Sequence, residues 1–183
     1  MLSIEDVNID AIVEGCKKGD RKAQEQLYRS YYKAMMNLCL RYSKSESDAM
    51  SVLNTGFLKV FRGLDKFDSK KGSLYTWIRT IVVNNCLDQV RADKSLHRTG
   101  ELVAGTGTET DPEVYSRISQ QSILHMVRQL APATQAVFNL FALEGYGHKE
   151  IAQMLNISEG TSKWHFSEAR KKLKQLIEME SRI

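Results

Sequence analysis

Proline is nearly missing from this chain: among 183 residues it occurs only at positions 112 and 132. Proline removes a helix donor and clashes with the preceding turn, so its absence before Pro112 leaves the whole first half open to long helices. No stretch approaches the ~18 apolar residues of a membrane span. The amino terminus carries Glu5, Asp6 and Asp10 where an export signal would place a basic segment ahead of an apolar run. Neither secretion nor membrane insertion is expected, and the expected location is the cytoplasm. Cysteine is scarce as well: Cys16, Cys39 and Cys86 are far apart and lack any metal-type spacing, which reads as reduced, mostly buried thiols. There is no glycine-rich phosphate loop, and His97, His125, His148 and His165 have no evident nucleophile partner. An enzyme is therefore not expected, and no catalytic residue, cofactor, metal or small-molecule substrate is assigned.

What is present is the composition of a folded protein, with 42% apolar and 26% charged residues. The formal charge of +4 permits a polyanionic partner without demanding one. Ala23, Leu27, Tyr31, Met35, Leu38 and Tyr42 recur at steps of three or four and mark one long amphipathic helix. A second stripe runs through Ala49, Leu53, Phe57, Val60 and Leu64, and a third through Leu74, Ile78, Ile81 or Val82, and Val90. Each stripe must bury against the others, so the first half reads as a helical bundle. The polar stretch from Asp65 to Ser73 breaks the pattern, and Ser73 is placed to cap the helix that follows.

From Thr99 to Val114 the periodicity stops. Gly100, Gly105, Gly107 and Pro112 make this a flexible linker, and Glu101, Glu109, Asp111 and Glu113 make it acidic. Apolar spacing resumes at Val114, Ile118, Leu124, Val127 and Leu130, and Pro132 can open a new helix.

The segment from Gly147 to Lys163 fits a helix-turn-helix. Two helices that cross steeply over a short turn need a small residue at the contact and a turn former between them. Ala152 supplies the first; Asn156 can take the left-handed conformation that ends a helix, Ile157 plugs the core, and Ser158 caps the second helix. On that helix Ser162, Phe166, Ala169, Leu173 and Ile177 form the expected inner face. Lys163, Trp164, Ser167, Arg170, Lys171 and Lys174 then point outward, as phosphate and base-edge contacts require. Thr161, with the free amides of the first turn, is a further candidate for phosphate.

Over almost its entire length the sequence resembles the extracytoplasmic-function (ECF) sigma factors of the sigma-70 family. Gly19-Asp20 through Leu27-Tyr28 and Tyr31 is similar to the family's start, and Ser47-Asp48-Ala49 through Phe57-Leu58-Lys59-Val60-Phe61-Arg62 to its polymerase-binding helix. Phe67-Asp68, Gly72-Ser73, Tyr75-Thr76-Trp77-Ile78 and Asn84 resemble its promoter-melting segment. Leu130 and Pro132, Gly145-Tyr146, Glu150-Ile151-Ala152, Ile157-Ser158, Gly160-Thr161 and Ala169-Arg170 resemble its minus-35 domain.

The resemblance implies an all-α protein of two small helical domains joined by a flexible acidic linker, the second a helix-turn-helix domain. Residues 1–96 would be region 2, 97–113 the linker, and 114–183 region 4. It implies core RNA polymerase and promoter DNA as partners, together with an anti-sigma protein. Asp48, Leu53, Phe57 and Arg62 would face polymerase. Asn84 and the loop from Asp65 to Ser73 would hold an extruded base, Tyr75 would face DNA, and Lys70, Lys71, Arg79 and Arg91 would hold phosphates. Trp77 sits on the apolar stripe and reads as core. The chain also departs from the family: Ala49-Met50-Ser51 replaces an acidic pair, Trp164-His165 lacks a basic residue, and Glu168 is acidic. The alternative is a helix-turn-helix regulator that does not act as a sigma factor. A sensory receiver of that kind would show alternating strands and an acidic phosphate-accepting pocket, where this first half shows helical stripes.

Overall fold

The computed structural model describes residues 9–91, 97 and 120–180. No strand occurs among the described residues, and packing divides the chain into two compact units, Met1–Cys86 and Leu87–Ile183. Residues 98–113 of the expected acidic linker lie outside the described residues.

The first unit holds α1 (Ile9–Lys17), α2 (Arg21–Leu40), α3 (Glu46–Gly63) and the greater part of α4 (Leu74–Arg91), with a 3₁₀ turn at Leu64–Lys66. α1 turns into α2 at Gly19, whose φ of 76° lies in the left-handed region that glycine adopts without strain. Asp20 then caps α2 by accepting from the Lys22 amide at 2.9 Å. The expected stripes are the core: Leu27, Met35 and Leu38 meet Leu53, Phe57 and Val60, and Leu74, Ile78 and Val82, all buried. Tyr31 and Tyr42 reach only the core's edge, and Val82 instead of Ile81 faces inward. Burying each large apolar side chain contributes about 1.5–3 kcal/mol.

Two details fix how α4 lies on α3. A Cβ at Gly56 would sit 3.3 Å from Cγ2 of Val82, so the missing side chain allows close approach. Beside it the buried Asn85 donates from Nδ2 to the Val52 carbonyl at 2.8 Å, which satisfies a donor that would otherwise be costly to bury. Cys16, Cys39 and Cys86 are buried and free, and a hydrogen bond with Cys39 followed by burial pushes the Cys86 thiol up.

In the second unit α5 (Gln120–Arg128) is followed by α6 (Pro132–Phe138), which widens into a π turn at Asn139–Leu143, and then by α7 (His148–Leu155) and α8 (Glu159–Glu180). Pro132 occupies the first position of α6, where its missing N–H leaves no intrahelical bond unmade. Phe138 and Phe141, three residues apart and so on one side of this segment, both meet Phe166 of α8, with ring centroids 6.2 and 4.4 Å away. Met126, Val127, Leu130, Val137, Leu140, Ile151, Leu155 and Ala169 complete this core.

Candidate nucleic-acid and polymerase interfaces

The turn between α7 and α8 is built as its residues require. Asn156 takes φ 56° and ψ 49°, the left-handed conformation that asparagine tolerates. The amide of Ile157 bonds back to the Ala152 carbonyl at 3.0 Å. Ser158 accepts from the Thr161 amide at 2.9 Å and caps α8. At the far end of α7, the Gly147 amide donates to Glu150 Oε2 at 2.8 Å. Ala152 is buried where the helices meet, and Ile157 is half-buried.

α8 sorts its side chains by face. Ser162, His165 and Ala169 are buried; Phe166, Leu173 and Ile177 are half-buried. Lys163, Arg170, Lys171 and Lys174 are exposed, while Trp164 and Ser167 are half-buried beside them. Thr161 differs from the expectation: it is 6% exposed, and its hydroxyl lies 2.8 Å from Ser158 Oγ. It belongs to the cap, and phosphate cannot reach it without opening the first turn.

Two further residues border this face. Glu159 pairs with Lys163 at 2.7 Å, a four-residue spacing legible in advance, and that lysine holds the carboxyl below its ordinary range. His148 stacks on Phe141 at 4.4 Å and places Nδ1 3.0 Å from Ser162 Oγ. Burial, and then the charge of Lys163, lowers its pKa. His165 is likewise tied inward, with Nδ1 3.1 Å from Thr134 Oγ1.

In the first unit α3 corrects the sequence reading. Leu53 and Phe57 are 0% and 1% exposed, so neither can present a surface to a partner. Both belong to the apolar stripe of α3, which is the core itself. The outward row of α3 is Asp48, Ser51, Thr55, Leu58 and Arg62, and Leu58 is 48% exposed. Asp48 also accepts from Ser45 Oγ at 2.7 Å, which steadies the start of the helix.

α4 presents two separate sides. Tyr75 is exposed near the Tyr31 ring, 6.3 Å away, with Arg79 half-buried one turn on. Asn84 is exposed roughly half a turn out of phase with Tyr75, on the side that carries Thr80 and Arg91. Trp77 shares that side. Its ring meets Phe67 at 5.6 Å and lies 3.6 Å from where a Cβ of Gly63 would stand, so it anchors the loop from Asp65 to Ser73. Within the loop Asp68 accepts from the Lys70 amide at 3.0 Å, and Lys70 and Lys71 are exposed. Ser73 caps α4 by accepting from Thr76 at 3.2 Å. Arg91 is exposed and pairs with Asp88 at 2.6 Å.

Among the described residues no group of three or more His, Cys, Asp or Glu is disposed to hold a metal ion, and no helix is long and apolar enough to cross a membrane.

Residues 27–95 match the family model for Sigma-70 region 2, and residues 120–173 match Sigma-70, region 4. The chain is 30% identical over 161 residues to the ECF RNA polymerase sigma factor SigM of Mycobacterium tuberculosis, covering 87% of this chain and 79% of that one. It is 25% identical over 186 residues to the ECF RNA polymerase sigma-E factor of Escherichia coli, covering 95% and 96%. Among solved structures, the sigma factor RpoE of Bartonella quintana, crystallised with the anti-sigma factor NepR, shares the fold. The TM-score is 0.52 at 17% identity, over 84% of this chain and 96% of that one.

Proposed function

Since this chain belongs to the ECF RNA polymerase sigma factors, we propose how its parts divide the work of such a factor. The protein is a transcription initiation factor: it binds core RNA polymerase, directs it to specific promoters and promotes DNA melting. The observation that carries this reading is the presence of regions 2 and 4 in one chain and in order. A helix-turn-helix regulator working without polymerase has no need of the first. We assign it no catalytic activity of its own, and the cytoplasm as its place of action.

Residues 1–96 act as region 2, 97–113 as the connector and 114–183 as region 4. The outer row of α3 meets polymerase through Asp48, Leu58 and Arg62, while Leu53 and Phe57 hold the inner face. Asn84 and the loop anchored by Trp77 take up an extruded base, whose unstacking costs a few kcal/mol and is offset by polar contacts to its edge. Lys70, Lys71, Arg79 and Arg91 hold strand phosphates, and Tyr75 offers a second aromatic contact on the side of Tyr31. Lys163, Trp164, Ser167, Arg170, Lys171 and Lys174 read the minus-35 duplex. An anti-sigma protein, the kind of partner seen on the Bartonella factor, is the third partner we assign.

Run-off transcription from a genomic fragment library with core polymerase tests this. Discrete new transcripts are expected only when the protein is added. An unchanged transcript set would overturn the assignment.

A further inference from the structure

Gly160 is the second residue of α8 and is exposed. Its φ lies outside the left-handed region, where only Gly19 and Gly145 are found among the described glycines. A Cβ built there would meet only Ser158 Oγ, at 3.6 Å, an ordinary contact. The contrast is Gly15, where a Cβ would fall 2.8 Å from that of Ala23 and the fold itself excludes a side chain. At Gly160 the fold has no use for glycine, and in a helix glycine is less stable than alanine because more backbone freedom is lost.

The turn that carries it is also held in place. Ser158 makes two bonds to Thr161, at 2.9 and 2.8 Å, and Glu159 is paired with Lys163 at 2.7 Å on the exposed side. A partner approaching α8 here therefore meets a backbone that does not step back, with no side chain in front of it.

We propose that Gly160 is a clearance position for duplex DNA: its missing side chain lets a strand of the minus-35 duplex lie against the α8 backbone between Glu159 and Lys163. The inference rests on α8 being the helix that reads the duplex. Close approach at Gly160 also brings the Glu159 carboxylate into the groove, where it accepts from a cytosine amino group and repels a phosphate. Glu159 thus becomes a determinant of which sequence is admitted.

The test uses the full chain with core polymerase and a duplex enriched by the wild-type holoenzyme from a random-sequence pool. Gly160→Ala and Gly160→Leu are compared in thermal melts, core-polymerase capture and duplex affinity. Gly160→Ala is expected to melt at the wild-type temperature or about 1–3 °C above it and to capture polymerase normally. Its duplex affinity is expected to fall roughly tenfold, and that of Gly160→Leu further, as overpacking of a close contact requires. Wild-type affinity in Gly160→Ala would overturn the inference, as would a binding loss that merely follows a drop in melting temperature. If Arg170→Ala also leaves the enriched duplex bound as tightly as wild type, the reading of α8 itself fails, and the inference with it.

Discussion

Along α8 core and chemistry lie on separate faces: Ser162, His165 and Ala169 turn inward, while Lys163, Arg170, Lys171 and Lys174 are exposed. In α3 and α4 the faces are as separate, but residues of the same kind stand next to each other on opposite faces. Buried Phe57 is followed by exposed Leu58, and exposed Asn84 by buried Asn85. The difference is one of marking. On α8 the outer face is labelled by charge, so periodicity gives both the position of a face and its direction. On α3 apolar residues stand on both sides, and the polar label on α4 is shared by two adjacent asparagines. Only packing decides which of them faces solvent.

The largest expected effects test the two faces of α3. Phe57→Ala should lose about 3–5 kcal/mol of stability, as truncation of a fully buried aromatic does. Leu58→Ala should shift stability by less than about 0.5 kcal/mol yet weaken capture of core polymerase roughly fivefold or more. Circular dichroism melts beside polymerase pull-downs separate the two, and an exchange of these outcomes would reverse the faces of α3.

The asparagine pair gives the next contrast. Asn84→Ala should leave polymerase binding and the closed complex intact while open complex falls roughly tenfold or more, since the captured base is lost. A template already mismatched across the minus-10 region should restore most of the activity. Permanganate reactivity of unpaired thymines reads both, and wild-type reactivity on the matched template would remove Asn84 from melting. Asn85→Ala should instead destabilise the first unit by about 1–3 kcal/mol, because it takes the donor from the Val52 carbonyl and leaves a gap beside Gly56.

On α8, Lys163→Ala and Arg170→Ala should each weaken duplex binding across many sequences and lower the salt slope by about one unit. Trp164→Ala should change the preferred sequence with the fold intact. Affinities measured over a range of salt concentrations, with selection from a random pool, distinguish these. A Trp164→Ala protein that unfolds but keeps its preference would place that ring in the core.

Smaller still is the cap. Ser158→Ala should cost about 1 kcal/mol in a thermal or denaturant melt, and no loss would show that the Thr161 amide finds another partner. The smallest effect is pH-dependent. Burial, with Lys163 second, holds His148 below its ordinary value of 6.5, so the folded state takes up its proton less readily than the unfolded chain. Its contribution is fully present above that value and is lost as pH falls through it toward the lower folded pKa. Stability measured from neutrality downward should slope less in His148→Phe than in wild type; equal slopes would place the titration elsewhere.

The sequence was most readable where local chemistry and tertiary packing agree. Asn156, Ser158 and Ala152 were legible because a left-handed turn, a cap and a helix crossing each admit few residue types. Thr161 was misread because a hydroxyl one turn into a helix serves cap or phosphate equally well until its neighbours are placed. Leu53 and Phe57 were misread for the opposite reason: the resemblance marked a helix, and the helix has two sides. The π turn at Asn139–Leu143 carries no periodic signal, since one widened turn shifts the helical phase without changing which residue types are buried.

Every cysteine of the chain falls within the first unit, at positions 16, 39 and 86, and all three are shielded from solvent. A thiol reagent added to the native protein therefore reacts only when that unit opens, and the second unit contributes nothing to the signal. The labelling rate is a built-in clock for fluctuations of that first half alone. Its slowing in the presence of core polymerase would measure how much that half is tightened on assembly, with no probe introduced into the protein.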